Sequence, residues 1–157
     1  MMTTAHDMLV AHPFLDGLAD HHLQRLALRS KRSMFHGGNR LFEEGGRADR
    51  FWLIRDGMVT VDTRLPGRGS AVVETLGPGS VLGWSWLFAP YRWHFGATAV
   101  QTTLTIEIEG PAVRQMCEED PQLGYDLTNR FMKVVVERLQ ATRLRLLDLY
   151  AHPGADR

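Results

Sequence analysis

The sequence holds one cysteine, Cys117, in 157 residues. A lone thiol closes no intrachain disulfide, and no second thiol or histidine stands at metal-ligand spacing from it, so the chain reads as a reduced, cytoplasmic protein. Charge of one sign is equally scarce, because 18 Lys and Arg balance 18 Asp and Glu. That balance removes the broad field on which a sequence-blind nucleic-acid or anionic-membrane binder relies, leaving room only for a local patch. No stretch approaches the ~20 apolar residues of a membrane span. Met1 to Val10 carries His6 and Asp7 where a secretory leader needs basic residues, and it lacks an apolar run. Clustered catalytic chemistry is missing as well. His6, His12, His21, His22, His36, His94 and His152 are scattered, with no His-x-His and following Glu on a strand, so no metal site is expected. His21 and His22, adjacent on a predicted helix, should point apart at the surface. Ser85 has no base near it in sequence, and Glu118, Glu119 and Asp120 beside Cys117 disfavour a thiolate, so no enzyme is expected.

What the sequence does hold is strong punctuation. Of 15 glycines, 11 lie between Gly37 and Gly96, and with Pro66, Pro78 and Pro90 they cut that stretch into short apolar runs. This is the pattern of a multi-stranded β domain. Strands are predicted at Lys31 to His36, Arg40 to Glu43, Phe51 to Arg55, Met58 to Thr63, Ala71 to Leu76, Phe95 to Val100 and Thr103 to Glu109. In the last, Leu104, Ile106 and Ile108 alternate with Thr103, Thr105, Glu107 and Glu109, which predicts one face in the core and the other in solvent. Ahead of this region, Pro13 to Leu28 predicts one or two short helices, with Asp20 as N-cap before Leu23, Leu26 and Ala27. Behind it, Pro111 and Pro121 suit first helical turns, and no Gly or Pro interrupts Tyr125 to His152, which allows a helix about 40 Å long. With 44% hydrophobic and 23% charged residues, one domain with a long helical appendage is expected.

The last helix has more apolar residues than one core requires. Leu123, Leu127, Phe131 and Val134 form a stripe at i, i+4 spacing, expected against the β domain. A second stripe of Tyr125, Thr128, Met132, Val135, Leu139, Thr142, Leu146 and Leu149 follows alternating three- and four-residue steps, as a coiled-coil seam does. The plainer reading of this stripe is more core. The seam is preferred because Leu144, Leu146, Leu147, Leu149 and Tyr150 lie beyond the reach of one compact domain. The expected dimer interface is Met132, Val135, Leu139, Thr142, Leu146 and Leu149.

This order of elements, with the residues that compose it, resembles the cyclic nucleotide-binding domain family. Phe35-His36-Gly37-Gly38, Leu41 to Gly45, Asp49 to Ile54 and Gly57-Met58-Val59 are similar in order and spacing to the family's glycine turns and strands, and Leu76 to Gly83 leads into its phosphate-binding cassette. The resemblance is nearest to the catabolite-activator type of bacterial regulator. It implies a mainly β fold with flanking helices: a double-stranded β-helix, or jelly roll, over residues 12–120 and a long C-terminal dimerisation helix over 121–150. It also implies that Thr142, in Arg138-Leu139-Gln140-Ala141-Thr142, faces the adenine of a ligand.

In that family a Gly-Glu pair opens the cassette's short helix, the Glu taking a ribose hydroxyl, and an Arg about ten residues later pairs with the cyclic phosphate. This sequence departs at both places. Trp84 follows Gly83, and setting Gly96-Ala97-Thr98 on the family's small residues puts Phe95, or with a one-residue slip His94, where the Arg belongs. Hydrogen bonds to charged groups contribute about 1.5 to 3 kcal/mol each, so tight cAMP binding in the usual mode is not expected. Instead Trp84, Trp86, Phe88, Tyr91, Trp93 and Phe95 crowd together, with Arg92 and His94 between them. Three readings stay open, in order of preference. Aromatic side chains fill the cavity of a ligand-free interaction module; or the pocket persists and stacks an unidentified flatter, less anionic molecule; or Arg92 swings in for the missing Arg and a cyclic nucleotide binds. The candidate ligand-binding residues are Gly83, Trp84, Ser85, Trp86, Arg92, His94, Phe95, Gly96, Ala97, Thr98 and Thr142, and no cofactor is expected.

DNA binding is the family's commonest output, through a helix-turn-helix after the dimer helix. The sequence stops before such a module, so no DNA partner is expected. Arg138, Arg143 and Arg145 read as cations opposing the dipole at the end of the long helix. The sequence thus predicts a stand-alone, cytoplasmic, homodimeric regulatory domain that docks to an unidentified protein partner, with no membrane partner. The alternative is a small-molecule or cyclic-nucleotide sensor with an aromatic-rich pocket.

Overall fold

Two four-stranded antiparallel sheets form a jelly roll whose one broad side is covered by helices, in a computed structural model that describes residues 3–151, the Leu149 side chain excepted. The chain enters through α1 (Ala5–Ala11), which the sequence reading missed. Its start is a reciprocal cap: Thr4 Oγ1 accepts from the Asp7 amide at 3.1 Å, and Asp7 accepts from the Thr4 amide at 3.0 Å. A 3-10 turn (Pro13–Leu15) and α2 (Asp20–Ala27) follow. Asp20 is the first helical residue rather than the N-cap, a place Ala19 takes, because its carboxylate is held by Gln24 and His6 at 2.8 Å each.

The strands are β1 (Ser30–Phe35), β2 (Arg40–Phe42), β3 (Arg50–Asp56), β4 (Val59–Leu65), β5 (Gly69–Leu76), β6 (Val81–Leu82), β7 (Gly96–Ala99) and β8 (Thr103–Glu109). One sheet runs β1-β8-β3-β6 and the other β2-β7-β4-β5. The two-residue β6 was absorbed into the cassette in the sequence reading, since so short a strand has no period of its own.

The first sheet corrects the expectation of one solvated face. On β3, Phe51 stacks on Trp86 at 4.7 Å and meets Phe131 at 5.4 Å, while its neighbour Trp52 points to the other face and stacks on Phe42 of the second sheet at 5.6 Å. The central strands are therefore buried on both faces. On β8, Ile106 and Ile108 are in the core as predicted, yet Thr103 and Thr105 are buried too, and Leu104 is exposed. Thr105 pairs with Ile54 on the face that Trp52 turns to the second sheet, so regular alternation along β8 buries it there. The buried threonines satisfy their hydroxyls on backbone carbonyls, Thr105 on Ser33 at 3.1 Å and Thr103 on Gln101 at 2.9 Å.

The helical layer is completed by α3 (Gly110–Glu119) and α4 (Pro121–Ala151), each with proline in its first turn as predicted. Leu123, Leu127 and Phe131 of α4 are fully buried. Phe14, Phe51, Trp86 and Phe131 form one aromatic cluster between helices and sheet, with Phe14 edge-on to Phe131 at 4.9 Å. Beyond it α4 runs along β5, where Arg145 donates to the Val72 carbonyl at 3.2 Å. This corrects the dipole reading of the arginines. No basic residue lies in the last turn, and Arg138 and Arg145 turn back to the β-roll instead. Among the described residues no helix is long and apolar enough to cross a membrane.

Candidate functional site

A cavity of about 320 Å³ lies between the second sheet and α4. Its walls are Val61 of β4, Val73 and Glu74 of β5, Trp84, His94 and Phe95 of the segment between β6 and β7, and Val135, Arg138, Leu139, Ala141 and Thr142 of α4. The structure thus brings together four of the predicted ligand residues, Trp84, His94, Phe95 and Thr142. The aromatic side chains form the wall and leave the volume open. Trp84, His94 and Phe88 form a triangle of rings, with Trp84 stacked on His94 at 4.7 Å and on Phe88 at 6.0 Å, Phe88 tilted to His94 at 5.9 Å, and Phe95 edge-on to Trp84 at 6.3 Å.

Local backbone needs explain how these groups are positioned. Gly83 has φ of +97°, and a Cβ there would lie 2.9 Å from the Trp93 ring, so glycine alone turns the chain from β6 into the cassette without displacing that indole. Trp86 then inserts into the core, its Nε1–H donating to the Gly83 carbonyl at 3.1 Å. Arg114 of α3 fastens the segment from outside, donating to the Trp86 carbonyl and lying 3.9 Å over the Tyr91 ring.

Two expectations fail in this segment. Ser85 does have a base beside it, because its Oγ lies 2.7 Å from His94 Nδ1, nine residues on. The turn returning through Tyr91, in the left-handed region at φ of 57°, brings them together. Ser85 is only 2% exposed, so its hydroxyl orients the His94 ring and has no approach for a substrate carbonyl. Arg92 is the second case. It sits exposed opposite Arg47 in an isolated bridge and is not part of the cavity wall, so it does not stand at the place of the missing phosphate partner in this structure.

Gly96, Ala97 and Thr98 also lie away from the cavity, on β7 between β2 and β4. Their small size serves a different contact. The Arg40 guanidinium crosses β7 to reach buried Asp62, taking Thr98 Oγ1 at 2.9 Å and Glu43 at 2.9 Å on the way. A Cβ on Gly96 would stand 2.1 Å from Arg40 Nη2. These carboxylates hold the Arg40 guanidinium above its ordinary value.

The two charged residues of the cavity wall, Arg138 and Glu74, are not among the predicted ligand residues. Arg138 Nε pairs with Glu74 at 3.1 Å, and its Nη2 donates to the Val81 carbonyl at 2.6 Å. Burial pulls the Arg138 guanidinium below its ordinary value, against the attraction of Glu74 and Glu137, and burial pushes the Glu74 carboxyl up, against Arg138. The available signal was register: Glu74 is the cross-strand partner of buried Val61 and shares its face, but the pairing shifts between Val61 and Asp62 and the sequence does not reveal that bulge.

On α4, Val135, Leu139 and Thr142 of the proposed seam border the cavity, and Met132 and Leu146 are exposed. The seam's last member, Leu149, falls outside the described side chains. Away from the cavity, His22 corrects the idea of two diverging surface histidines. It is buried, its Nε2 lies 2.8 Å from Asp120 Oδ2, and the His21 ring packs on it with centroids 4.0 Å apart. His21, His22 and Asp120 are a group whose ligand atoms all lie within 4.8 Å of one another. Cys117 is as expected: burial, then Asp120 and Glu118, push its thiol up.

Comparison with known proteins places these observations. The family model of the cyclic nucleotide-binding domain matches residues 32–120. The CRP-like cAMP-activated global transcriptional regulator of Mycobacterium tuberculosis is 26% identical over 115 residues, 73% of this chain and 50% of that protein. The chain therefore spans about half the length of the curated relatives it matches. A cyclic nucleotide-binding domain of Methylobacillus flagellatus has the same fold, with TM-score 0.80 and 18% identity over 94% of this chain and 86% of that one. So does the regulatory subunit of a cAMP-independent protein kinase A from Trypanosoma brucei, with TM-score 0.67 and 21% identity over 80% and 42%.

Proposed function

This chain belongs to the cyclic nucleotide-binding domain family, and from that premise we propose a cytoplasmic regulatory domain whose cavity takes a planar, weakly charged small molecule in place of cAMP. The carrying observation is the state of Arg138. It is the one guanidinium in the cavity wall, and it is already committed to Glu74 and the Val81 carbonyl. A cyclic phosphate entering here meets a carboxylate and no free cation, and desolvating an unpaired anion opposes binding. A flat molecule meets Trp84, Phe95 and Val135 instead, at a volume within the range of small-molecule sites. The Trypanosoma brucei kinase described as cAMP-independent has the same fold, so the fold does not oblige its owner to use cAMP.

Output in this reading passes through α4, which borders the cavity and carries an exposed apolar stripe beyond it. A second copy covers that stripe, and the homodimer docks to a protein partner. DNA contact and catalysis have no part in it, since Arg138 and Arg145 face β-roll carbonyls and Ser85 is buried.

Thermal unfolding tests the ligand choice. A ligand at 100 times its Kd adds about 2.7 kcal/mol of stability, which moves the Tm of a domain this size by roughly 5 to 10 °C. Unmodified protein should show no such rise with cAMP or cGMP. The double variant Trp84→Glu with Phe95→Arg, which restores a ribose acceptor and a phosphate fork, should gain one. A full rise with unmodified protein overturns the reading.

A further inference from the structure

The helical corner on the far side of the fold carries chemistry that the cavity does not use. His21 and His22 lie in the first turn of α2, and Asp120 is the residue between α3 and α4. We propose that these three side chains form a site for a divalent transition-metal ion of zinc-like preference, joining α2 to the start of the long helix.

Two of the three ligands are already brought side by side. Asp120 is held at both ends: its Oδ1 accepts from the Leu123 amide at 3.4 Å, capping α4, and its Oδ2 faces His22 Nε2 at 2.8 Å. With bonds of about 2.0 to 2.2 Å from zinc to imidazole nitrogen and carboxylate oxygen, two ligand atoms at the tetrahedral angle stand roughly 3.4 Å apart. The His22–Asp120 pair, at 2.8 Å, opens by about 0.6 Å as the ion displaces the proton between them. His22 is 2% exposed, so packing sets its ring and no rotamer entropy is lost on binding. The third ligand is the mobile one. His21 is exposed, has no hydrogen bond within the protein, and lies with its ligand atom within 4.8 Å of the other two. Ligand atoms on a tetrahedral ion are roughly 3.4 Å apart, so His21 closes the site by an inward rotation of about an ångström or more that solvent exposure permits.

Two imidazoles and one carboxylate form the donor set of zinc and its neighbours rather than of calcium or magnesium, which take oxygen, and three protein ligands leave a position for water. One group opposes the ion. Arg25 Nη1 stands 3.8 Å from Asp120 Oδ2 and Nη2 3.6 Å from Glu119, and it must swing outward when a dication arrives. At 40% exposure it is free to do so. In the absence of metal, Arg25 supplies the charge that the ion would otherwise bring, so the corner exchanges one cation for another. Binding adds a coordination clasp between α2 and the origin of α4, stiffening the base from which that helix runs past the cavity.

The test uses tag-free full chain freed of metal with a chelator. Calorimetric titration with Zn²⁺ alone should show one ion per chain at a Kd of about micromolar or tighter, and Co²⁺ should give a visible absorption band from the same site. His21→Ala should weaken binding at least about tenfold, abolish the rise in Tm that Zn²⁺ produces in unmodified protein, and leave the metal-free Tm unchanged. Arg25→Gln should tighten binding several-fold, and His36→Ala, an exposed histidine elsewhere, should leave it as it was. Because His21 is on the surface, its loss cannot be mistaken for misfolding. The proposal is overturned if His21→Ala binds Zn²⁺ within twofold of the unmodified chain, or if unmodified chain takes up no saturable ion at about 100 µM, a hundredfold above the expected Kd.

Discussion

The two halves of α4 are one uninterrupted helix with opposite fates. In the first half, Leu123, Leu127 and Phe131 are wholly buried against the aromatic cluster; in the second, Leu139 is 66% exposed, and Leu144, Leu146, Leu147 and Tyr150 are exposed as well. Apolar content does not distinguish them. What differs is the surface opposite. The first half faces a sheet whose outward side is itself apolar, through Phe51, Leu53, Ile106 and Ile108. The second half faces a cavity and then solvent. The changeover falls between Val135 and Arg138, where the contacts to the β-roll include a guanidinium on Glu74 and hydrogen bonds to the Val81 and Val72 carbonyls. Burial is thus a property of the pair of surfaces and not of the helix.

The comparison breaks most visibly at Phe131. Replacing it with Ala empties the centre of the cluster and should cost about 3 to 5 kcal/mol, read as a drop in the urea midpoint at unchanged slope; a loss under about 1 kcal/mol, within the range of surface changes, would show that the first half is as dispensable as the second. The converse change is Leu139→Glu with Leu146→Glu. Each should alter the stability of a single subunit by no more than about 0.5 kcal/mol, yet together they place like charges across the proposed seam, so light scattering should fall from dimer to monomer mass and the Tm should stop depending on protein concentration. Unmodified protein that scatters as a monomer at micromolar concentration contradicts the dimer.

The smallest effect sharpens the first half alone. His12 is buried behind Phe14, the partner of Phe131, with one ring nitrogen 2.9 Å from the Ile54 carbonyl and the other accepting from the Phe14 amide at 3.2 Å. Burial holds its pKa below the ordinary 6.5, with Arg55 adding to the effect and the Ile54 carbonyl opposing it. The unfolded chain therefore takes up the proton first, and stability falls as pH drops below about 6.5, by no more than about 1.4 kcal/mol per pH unit for one proton. His12→Gln should remove that component of the slope between pH 7.5 and 5.5. An unchanged slope in the variant means that His12 is not the group concerned.

Much of this architecture was legible because the punctuation is physical. Glycines at turns, prolines in first helical turns and the i, i+4 stripe of Leu123, Leu127 and Phe131 each encode a local preference that the tertiary structure honours. The cassette residues Trp84, His94 and Phe95 could be placed through the resemblance. What stayed hidden depends on register and return paths. A bulge in β5 at Val73 decides which side Glu74 faces, and the packing of two sheets buries the face that Thr105 shares; no single residue announces either. The run Gly96 to Thr98 matches the family's small residues in sequence, whereas in the fold its size makes way for Arg40, 56 to 58 residues earlier in the chain. His22 and Asp120 are 98 residues apart, a pairing that spacing along the chain cannot suggest.

The aromatic cluster has a consequence for the order in which the molecule can be made. Its rings come from positions 14, 51, 86 and 131, and beside them Arg130 donates to the Phe14 carbonyl at 2.8 Å across 116 residues of sequence. Closing a loop of that length precedes any reward from the contact, the circumstance that slows folding in chains rich in distant pairings. During synthesis, both sheets emerge before α4 does, and the outward face of β3 and β8 waits bare until Phe131 clears the ribosome. A chain truncated before α4 would therefore expose Phe51, Trp86 and Ile108 together, a surface that invites self-association, and the last quarter of the sequence decides whether the first three quarters stay soluble.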